Sequence, residues 1–240
     1  MNKSLKLAAT FLCAATLLIS CKNSAPADNE LSSAEKEAGW KLLFDGKTSD
    51  GWHLYNKGKI NSAWKVQDGA LVCTSDPNVE HGDLLSDQEF KNFDLRFDWK
   101  LQATGNSGVF INVVEKKEYP TAWTTGPEYQ LLGTEHLDMD KPTKHSGCLY
   151  GFSAQLNKVD TKPADQWNTS RIVQKDGVIT FYLDGIETAK EDLKATAWKE
   201  KIKETNFKNF PDFGKALSGH IALQDWTKGI SFKNVKILAL

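Results

Sequence analysis

The sequence has little of what would place it in several familiar classes. Four cysteines in 240 residues are too few for a disulfide-rich scaffold, and neither a Cys-x-x-Cys pair nor a His/Cys spacing suggests zinc. An excess of positive charge is also lacking, since 30 Lys and Arg stand against 31 Asp and Glu. Nucleic acid is therefore not an expected partner. What the sequence does have is 40% hydrophobic residues, enough for the core of one large domain.

The first twenty residues have the pattern of an export signal. Two lysines precede an apolar run from Leu7 to Ile19, which is too short to span a bilayer but has the length of a signal-peptide core. The run ends in Leu-Ile-Ser-Cys at 18–21, which resembles a bacterial lipobox. The sequence predicts a signal peptide over 1–20 and lipid on Cys21. The mature protein would then be exported and held at the cell envelope by that anchor, without a spanning segment.

The residues after the anchor predict a linker, a short helix and one domain. A small polar stretch follows Cys21, and Ser32 and Glu35 have capping-box spacing for a helix to about Ala38. We therefore expect a linker with a short helix over 21–38 and a single domain over 39–240. Within the domain, Cys73 and Cys148 could pair in an oxidising compartment, but each lies in an apolar run typical of buried free thiols, which the sequence favours.

Strand patterns dominate the domain. Residues 93–101 alternate apolar and polar without a break, the period of a half-buried strand. Asp-Gly dipeptides at 68–69, 176–177 and 184–185 mark turns. These features predict an all-β sandwich of two antiparallel sheets with one helical insertion over about 190–207. Further strands are predicted at 41–44, 64–66, 70–74, 109–114, 128–132, 148–154, 168–174, 178–183, 220–224 and 230–238.

One predicted strand carries two polar residues on a single face. Glu128 and Gln130 are two positions apart, so both project from one side while Tyr129 and Leu131 project from the other. On the strand pattern alone, a solvated face is the ordinary interpretation of such a pair.

Seven short motifs occur in order along the domain. They are LFDGKT at 43–48 with GW at 51–52, DGAL at 68–71, NSGV at 106–109, GPEYQLL at 126–132, GCLY at 147–150, QWN at 166–168 and GHIALQD at 219–225. Together they resemble the bacterial 3-keto-disaccharide hydrolase family, also described as a 3-keto-glucoside lyase/hydratase domain. The resemblance implies a concanavalin A-like jelly roll and favours a functional interpretation of Glu128 and Gln130. Family members often continue the last motif with His-Gly, whereas this chain continues with Trp226.

The resemblance also implies a substrate class, namely an oligosaccharide or glucoside already oxidised to a ketone at C3. The ketone acidifies the hydrogen on C2, so that a base can remove it and the resulting anion can expel the group on C1. Such a site needs a base, an electrophile at the enolate oxygen and an acid for the leaving group. The resemblance implies that Glu128 is this base, an acid or a metal ligand, and that Gln130 binds sugar hydroxyls.

The loop after this strand carries His136, Asp138 and His145. Imidazoles suit proton transfer at neutral pH, so both histidines are catalytic candidates. The His-x-Asp pair and the second histidine could instead hold a divalent cation, with Asp138 as a ligand, although the spacing matches no zinc signature. An ordinary polar surface loop is the remaining alternative. No other cofactor is expected.

Four more residues are candidates for substrate contact. Trp123 lies in a loop just before the Glu128 strand, where its ring could stack on a sugar or cover the core. Tyr150 and Asn168 lie in family motifs and could bind sugar or stabilise the fold. Asn106 is expected to offer its amide from a turn at 106–108.

Three functions compete. The leading one is an enzyme that cleaves 3-keto-glycosides, by elimination and hydration or by net hydrolysis. The second is a non-catalytic carbohydrate-binding module of the same fold. The third, a conventional glycoside hydrolase with paired carboxylates, is disfavoured because the Glu-x-Asp-x-x-Glu pattern of sandwich glucanases is Glu128-x-Gln130-x-x-Gly133 here.

Overall fold

The computed structural model of the protein describes residues 26–226 and 229–240. The predicted signal peptide and the lipidated Cys21 lie outside the described residues. Within those two ranges, we find no helix with the length and apolar character that crossing a membrane requires.

Thirteen strands and two α-helices make up the regular structure of the described ranges. Short 3-10 helices cover Ala122–Thr124, Leu137–Asp140, Pro142–Lys144 and Asn206–Asn209. The other elements are α1 (Ser33–Glu37), β1 (Lys41–Leu42), β2 (Trp52–Leu54), β3 (Trp64–Gln67), β4 (Ala70–Cys73), β5 (Leu84–Phe90), β6 (Phe93–Leu101), β7 (Asn106–Val113), β8 (Glu128–Leu132), β9 (Asn168–Lys175), β10 (Val178–Leu183), β11 (Ile186–Asp192), α2 (Thr196–Lys203), β12 (Gly219–Leu223) and β13 (Ile230–Ala239).

The strands form two antiparallel sheets, as the sequence predicts. The larger sheet has eight strands in the order β11-β10-β9-β6-β13-β4-β3, with β1 also paired to β13. The smaller sheet has five strands in the order β2-β5-β12-β7-β8. Every named strand pair is antiparallel.

The main core fills the space between the sheets. Strand β6 lies at the centre of the larger sheet, and its alternate residues Phe93, Leu95, Phe97 and Trp99 are buried there. Tyr129 of β8 faces the same core from the smaller sheet, with its ring 5.7 Å from that of Phe97. The alternation of β6 therefore fixes which face of the larger sheet is covered.

The predicted strands agree with the structure where the alternation is long. Residues 93–101, 128–132 and 178–183 form strands with those boundaries. The capping box is confirmed as well, because the Ser32 hydroxyl accepts from the Glu35 N–H and the Glu35 carboxylate accepts from the Ser32 N–H. Cys73 and Cys148 are both free and buried.

Three element predictions are wrong. Residues 148–154 form turns rather than a strand, with Leu149 making only an isolated bridge to Tyr129. The expected turn at 106–108 is instead the start of β7. The helical insertion is shorter than predicted, because β11 continues to Asp192 and α2 covers Thr196–Lys203. Edge pairing of β11 with β10 overrides the helix propensity of its Lys and Glu residues.

Candidate active site

A pocket of about 970 Å³ lies on the outer face of the five-stranded sheet, opposite the main core. Its floor comes from β7, β8 and the end of β12, and its walls come from three loops. This volume is within the range of small-molecule sites in proteins. The lining residues are Asn106, Trp123, Glu128, Gln130, His136, Asp138, Lys144, Tyr150, Gly151, Glu204, Thr205, Asn206, Phe207, Asn209, Phe210, Gln224 and Trp226.

The two faces of β8 have different tasks. Tyr129 and Leu131 are fully buried in the main core, while Glu128 and Gln130 line the pocket. This is the division that the period of two predicts. The polar face is not solvated, however, because all five residues of β8 are buried.

Glu128 lies directly over the backbone of Gly108 on the neighbouring strand. A Cβ atom at Gly108 would come within 2.8 Å of the Glu128 side chain, at both Cγ and Cδ. Real Cβ contacts are never this short, so the carboxyl group depends on the missing side chain. Gly108 is thus the residue that makes room for Glu128 on the pocket floor.

The environment of Glu128 disfavours its negative charge. Burial is the main reason that its pKa is raised well above the usual value, and the nearby Asp83 carboxyl raises it further. The positive charge of Lys144 acts in the opposite direction. Among the described residues, none donates a hydrogen bond to the Glu128 carboxylate. A carboxylate that burial makes more basic is a stronger proton acceptor than an exposed one.

Asp83 is the second buried acid near the pocket. It accepts hydrogen bonds from the N–H groups of Ala122 at 3.1 Å and Asp225 at 3.2 Å. Burial nevertheless raises its pKa to about 6, and the adjacent Asp225 contributes to the rise. Asp225 in turn pairs with His81, whose Nδ1 atom lies 2.7 Å from the Asp225 carboxylate.

The loop after β8 places a cation and an imidazole beside Glu128. Lys144 is half-buried, with Nζ 2.9 Å from the Asp138 carboxylate and 5.4 Å from the centre of the Tyr150 ring. The Nδ1 atom of His136 accepts from the N–H of Asp138 at 3.1 Å. A neutral His136 ring bonded in this way carries its proton on Nε2.

An aromatic wall stands opposite this loop. The half-buried ring of Trp123 packs edge-on against Phe210, with the ring centres 4.6 Å apart. Phe207 lies in the same wall, 6.5 Å from the ring centre of Tyr150. Aromatic surfaces beside a few polar groups are typical of sugar sites, in which the rings bind the apolar face of the sugar.

Gln130 and Asn106 form one unit on the floor. The Gln130 Nε2 donates to the Asn106 side-chain oxygen at 2.7 Å and to the main-chain oxygens of Ser107 and Leu131. Both residues line the pocket. Their side chains are therefore held in place before any ligand arrives.

Two predicted site residues lie elsewhere. Asn168 begins β9 in the other sheet, where its side-chain oxygen accepts from the N–H of Lys162 at 2.9 Å. His145 does not line the pocket; its Nε2 lies 3.0 Å from the main-chain oxygen of Met139 within the loop. Neither side chain lines this pocket, so the structure does not bring either residue together with Glu128 there.

The alternative of a divalent cation in the loop after β8 finds no ligand set among the described residues. The Asp138 carboxylate is paired with the Nζ atoms of Lys141 and Lys144. The described ranges hold no group of three or more His, Cys, Asp or Glu that could bind a metal ion. Asp138 instead fixes the position of Lys144.

Sequence reasoning missed Lys144, Gln224 and Trp226, all of which line the pocket. Lys144 is one of two lysines in a polar loop, and nothing in its local pattern marks it. Gln224 lies in the GHIALQD motif, one residue past β12 and on the same face as Ala222. The period of two along a strand is therefore the signal that could have identified it. Trp226 is 52% exposed, which is unusual for a side chain of its size.

The chain is similar in sequence and in structure to known proteins. A model of the 3-keto-alpha-glucoside-1,2-lyase-like domain matches residues 39–238. A curated 3-keto-disaccharide hydrolase from Bacteroides thetaiotaomicron is 26% identical over 230 residues, which cover 84% of this chain and 79% of that protein. A crystal structure from Parabacteroides distasonis ATCC 8503, of a protein proposed to be a glycosyl hydrolase, is 32% identical with a TM-score of 0.80, covering 89% of this chain and 99% of that one. A second such structure from the same strain, 24% identical with a TM-score of 0.64 and covering 84% and 99%, shares the fold.

Proposed function

Because the chain belongs to the family of 3-keto-alpha-glucoside-1,2-lyase-like domains, we propose that it cleaves 3-keto-glycosides, with Glu128 as the base that removes the proton on C2. The observation that carries this proposal is the buried carboxyl group of Glu128 on the floor of a sugar-sized pocket, without a hydrogen-bond donor among the described residues. Its raised pKa suits a group that takes up a proton from carbon.

Lys144 supplies the electrophile in this proposal. When Glu128 takes the C2 proton, the electrons of that bond form a C2=C3 double bond and the ketone oxygen becomes negative. The Lys144 ammonium lines the pocket, and its positive charge lowers the pKa of Glu128, so the two groups belong to one site. A cation placed here stabilises the enolate oxygen more than the neutral ketone, which lowers the barrier.

His136 and Tyr150 are the candidates for the proton donor to the leaving group. The negative charge on the C3 oxygen collapses back to a ketone, a C1=C2 double bond forms, and the C1–O bond breaks with its electrons on the leaving oxygen. In a neutral His136, Nδ1 accepts from the Asp138 N–H, so the proton is on Nε2 and is placed to donate to the leaving oxygen. Water then adds its hydroxyl to C1 and a hydrogen to C2, so the overall result is hydrolysis.

The test is a comparison of a 3-keto-glucoside that carries a chromogenic aglycone with its unoxidised parent, in heavy water. We expect the wild type to release the aglycone and to exchange deuterium into C2 with the ketone alone. Glu128→Gln should lower kcat/KM by about 100-fold or more, since it removes the general base. Glu135→Gln is the matched control, because Glu135 is exposed in the adjacent loop and does not line the pocket.

Three results would contradict the proposal. The first is an unchanged rate in Glu128→Gln, which would remove Glu128 from the chemistry. The second is affinity for the 3-keto-glucoside without exchange or release, which would favour a carbohydrate-binding module. The third is equal release from the unoxidised glucoside, which would indicate ordinary glycoside hydrolysis.

A further inference from the structure

The side-chain amide of Gln224 is buried at the edge of the pocket without a partner among the described residues. The residue is 7% exposed, and its Oε1 atom is fully buried with no hydrogen bond to that part of the chain. Its Nε2 atom makes no hydrogen bond to the described residues either. The main chain is nevertheless fixed, because the Gln224 N–H donates to the Gly108 oxygen at 2.9 Å and the Gln224 oxygen accepts from the Ser107 hydroxyl at 2.9 Å. Buried amides are normally hydrogen-bonded, so this one is an exception that calls for a ligand.

Gln130 shows what a structural glutamine on the same face looks like. Its amide nitrogen donates to three oxygens of the described chain, at 2.7, 2.9 and 3.2 Å. The amide nitrogen of Gln130 therefore needs no ligand to be satisfied. Gln224 has the same side chain, the same sheet and the same pocket, but none of these bonds.

The position of Gln224 brings it close to the base. It is bonded through its N–H to Gly108, and the Glu128 carboxyl lies over Gly108. Neighbouring strands are about 4.8 Å apart, so Gln224 is one strand spacing from the backbone beneath the carboxyl group. The Gly147 N–H donates to the Gln130 oxygen and the Tyr150 N–H donates to the Glu128 oxygen, so the end of the loop that carries Lys144 runs along the edge of β8 on the far side from β12. The base is therefore flanked by a cation on one side and an amide on the other.

The chemistry of the amide selects its ligand. The unpartnered Oε1 needs a donor, which a ketone oxygen and a glycosidic oxygen cannot supply because neither carries a proton. A sugar hydroxyl carries a proton that it can donate to Oε1, so a hydroxyl is the substrate group that fits this atom. With the C3 ketone towards Lys144, the hydroxyl closest to the proton that Glu128 removes is the one on C2 itself.

We infer that the Gln224 amide binds the C2 hydroxyl of the substrate, so that the protein selects 3-keto-glycosides with a free hydroxyl at C2. This inference rests on the proposed function, since it takes Glu128 as the base at C2. Gln224 would then contact the carbon at which the first bond breaks, and would orient its hydrogen towards the carboxyl group.

A cycle of two substrates and two proteins tests the inference. The substrates are a 3-keto-glucoside and its 2-deoxy analogue, which keeps a C2 hydrogen for Glu128 to remove. Dividing the two kcat/KM values, and comparing that ratio between wild type and Gln224→Ala, cancels the different intrinsic reactivity of the substrates. We expect the preference for the 2-hydroxy substrate to fall about tenfold in Gln224→Ala, because a buried hydrogen bond is lost.

A matched control and a second variant complete the experiment. Trp226→Ala removes a pocket residue two positions away, and should change both kcat/KM values alike. Gln224→Met keeps the length of the side chain without the amide, and replaces Gln224→Ala if that variant unfolds. An unchanged preference in both Gln224 variants, with cleavage intact, would overturn the inference alone. Cleavage of neither substrate by the wild type would overturn the proposed function and the inference with it.

Discussion

Gly108 shows how one missing side chain positions a functional group. The Glu128 carboxyl lies in the space that a Cβ at Gly108 would fill. Gly108 has no unusual backbone conformation that only glycine adopts, so the requirement is for space rather than for flexibility. A substitution there should therefore act on the site more than on the fold.

We expect Gly108→Ala to lower kcat/KM by about 100-fold, approaching the loss in Glu128→Gln, because the carboxyl must move away from the reacting carbon. Steady-state kinetics and thermal unfolding together check this. The double variant with Glu128→Gln should be no slower than Glu128→Gln alone, since both changes remove the same group. Normal activity in Gly108→Ala would mean that the carboxyl acts from another position.

Asp83 illustrates how burial couples one acid to stability. Its pKa is raised to about 6 in the folded protein, above the ordinary value of 3.8. A raised pKa means that folding favours the protonated carboxyl. The stabilisation is therefore complete below pH 3.8 and is lost as the pH rises through about 6.

We expect the free energy of unfolding of the wild type to fall between pH 4 and pH 7, relative to Asp83→Asn, by about 2 kcal/mol. Denaturant titrations of both proteins across this range measure the difference. The variant loses an acceptor at every pH, so the slope rather than the offset is informative. Parallel curves would show that Asp83 does not titrate in this window, and Glu135→Gln should leave the slope unchanged.

At the scale of elements, β8 and three loops each contribute different residues to the site. The strand fixes the directions of Glu128 and Gln130, because its other face is locked into the core by Tyr129 and Leu131. The loop after β8 brings Lys144, and the segment after α2 brings Phe210 against Trp123. A rigid strand thus carries the base, while loops carry the groups that vary more easily.

The contact between Trp123 and Phe210 predicts a binding effect that is separate from catalysis. An edge-on aromatic pair contributes about 0.5–1.5 kcal/mol, so Phe210→Ala should raise KM about 2- to 10-fold as Trp123 loses its support. The value of kcat should change by less than about twofold, because neither ring takes part in the proton transfer or the bond cleavage. Ile186→Ala, at an exposed position on β11, is the control. A fall in kcat with constant KM would contradict the stacking role.

At the scale of the whole molecule, the two sheets separate stability from function. The core between them holds the large apolar side chains, and the pocket occupies the outer face of the smaller sheet. The described N-terminal segment is attached to the larger sheet by two hydrogen bonds between Asn29 and Asn234. The Asn29 N–H donates to the Asn234 side-chain oxygen at 2.6 Å, and the Asn234 N–H donates to the Asn29 side-chain oxygen at 2.9 Å. This contact lies on the larger sheet, whereas the pocket lies on the smaller one.

We propose that the whole protein is held at the cell envelope by lipid on Cys21. When it is produced from its full sequence in a bacterium, we expect the wild type in the membrane fraction and Cys21→Ser outside it. Mass spectrometry of the N-terminal peptide should find the lipid on Cys21 alone. Cys13→Ser, within the predicted signal peptide, should fractionate like the wild type. Equal fractionation of wild type and Cys21→Ser would refute the anchor.

The sequence alone determined what depends on neighbours along the chain. The long alternation of 93–101 specifies a strand and its buried face, and the period of two places Glu128 and Gln130 together on β8. Short segments carried less information. Residues 148–154 are apolar enough for a strand but are used in turns, and β2 and β5 were missed because sheet partners, rather than local pattern, define them.

Only the tertiary structure decided which polar residues share the pocket. Asn168 and His145 belong to promising motifs, but β9 lies in the other sheet and the His145 ring is bonded within its own loop. Lys144 and Gln224 are brought to Glu128 by a folded loop and by the pairing of β12 with β7. The physical reason is that a side chain's direction follows from local backbone geometry, whereas its neighbours across strands follow from sheet order, which no local pattern encodes.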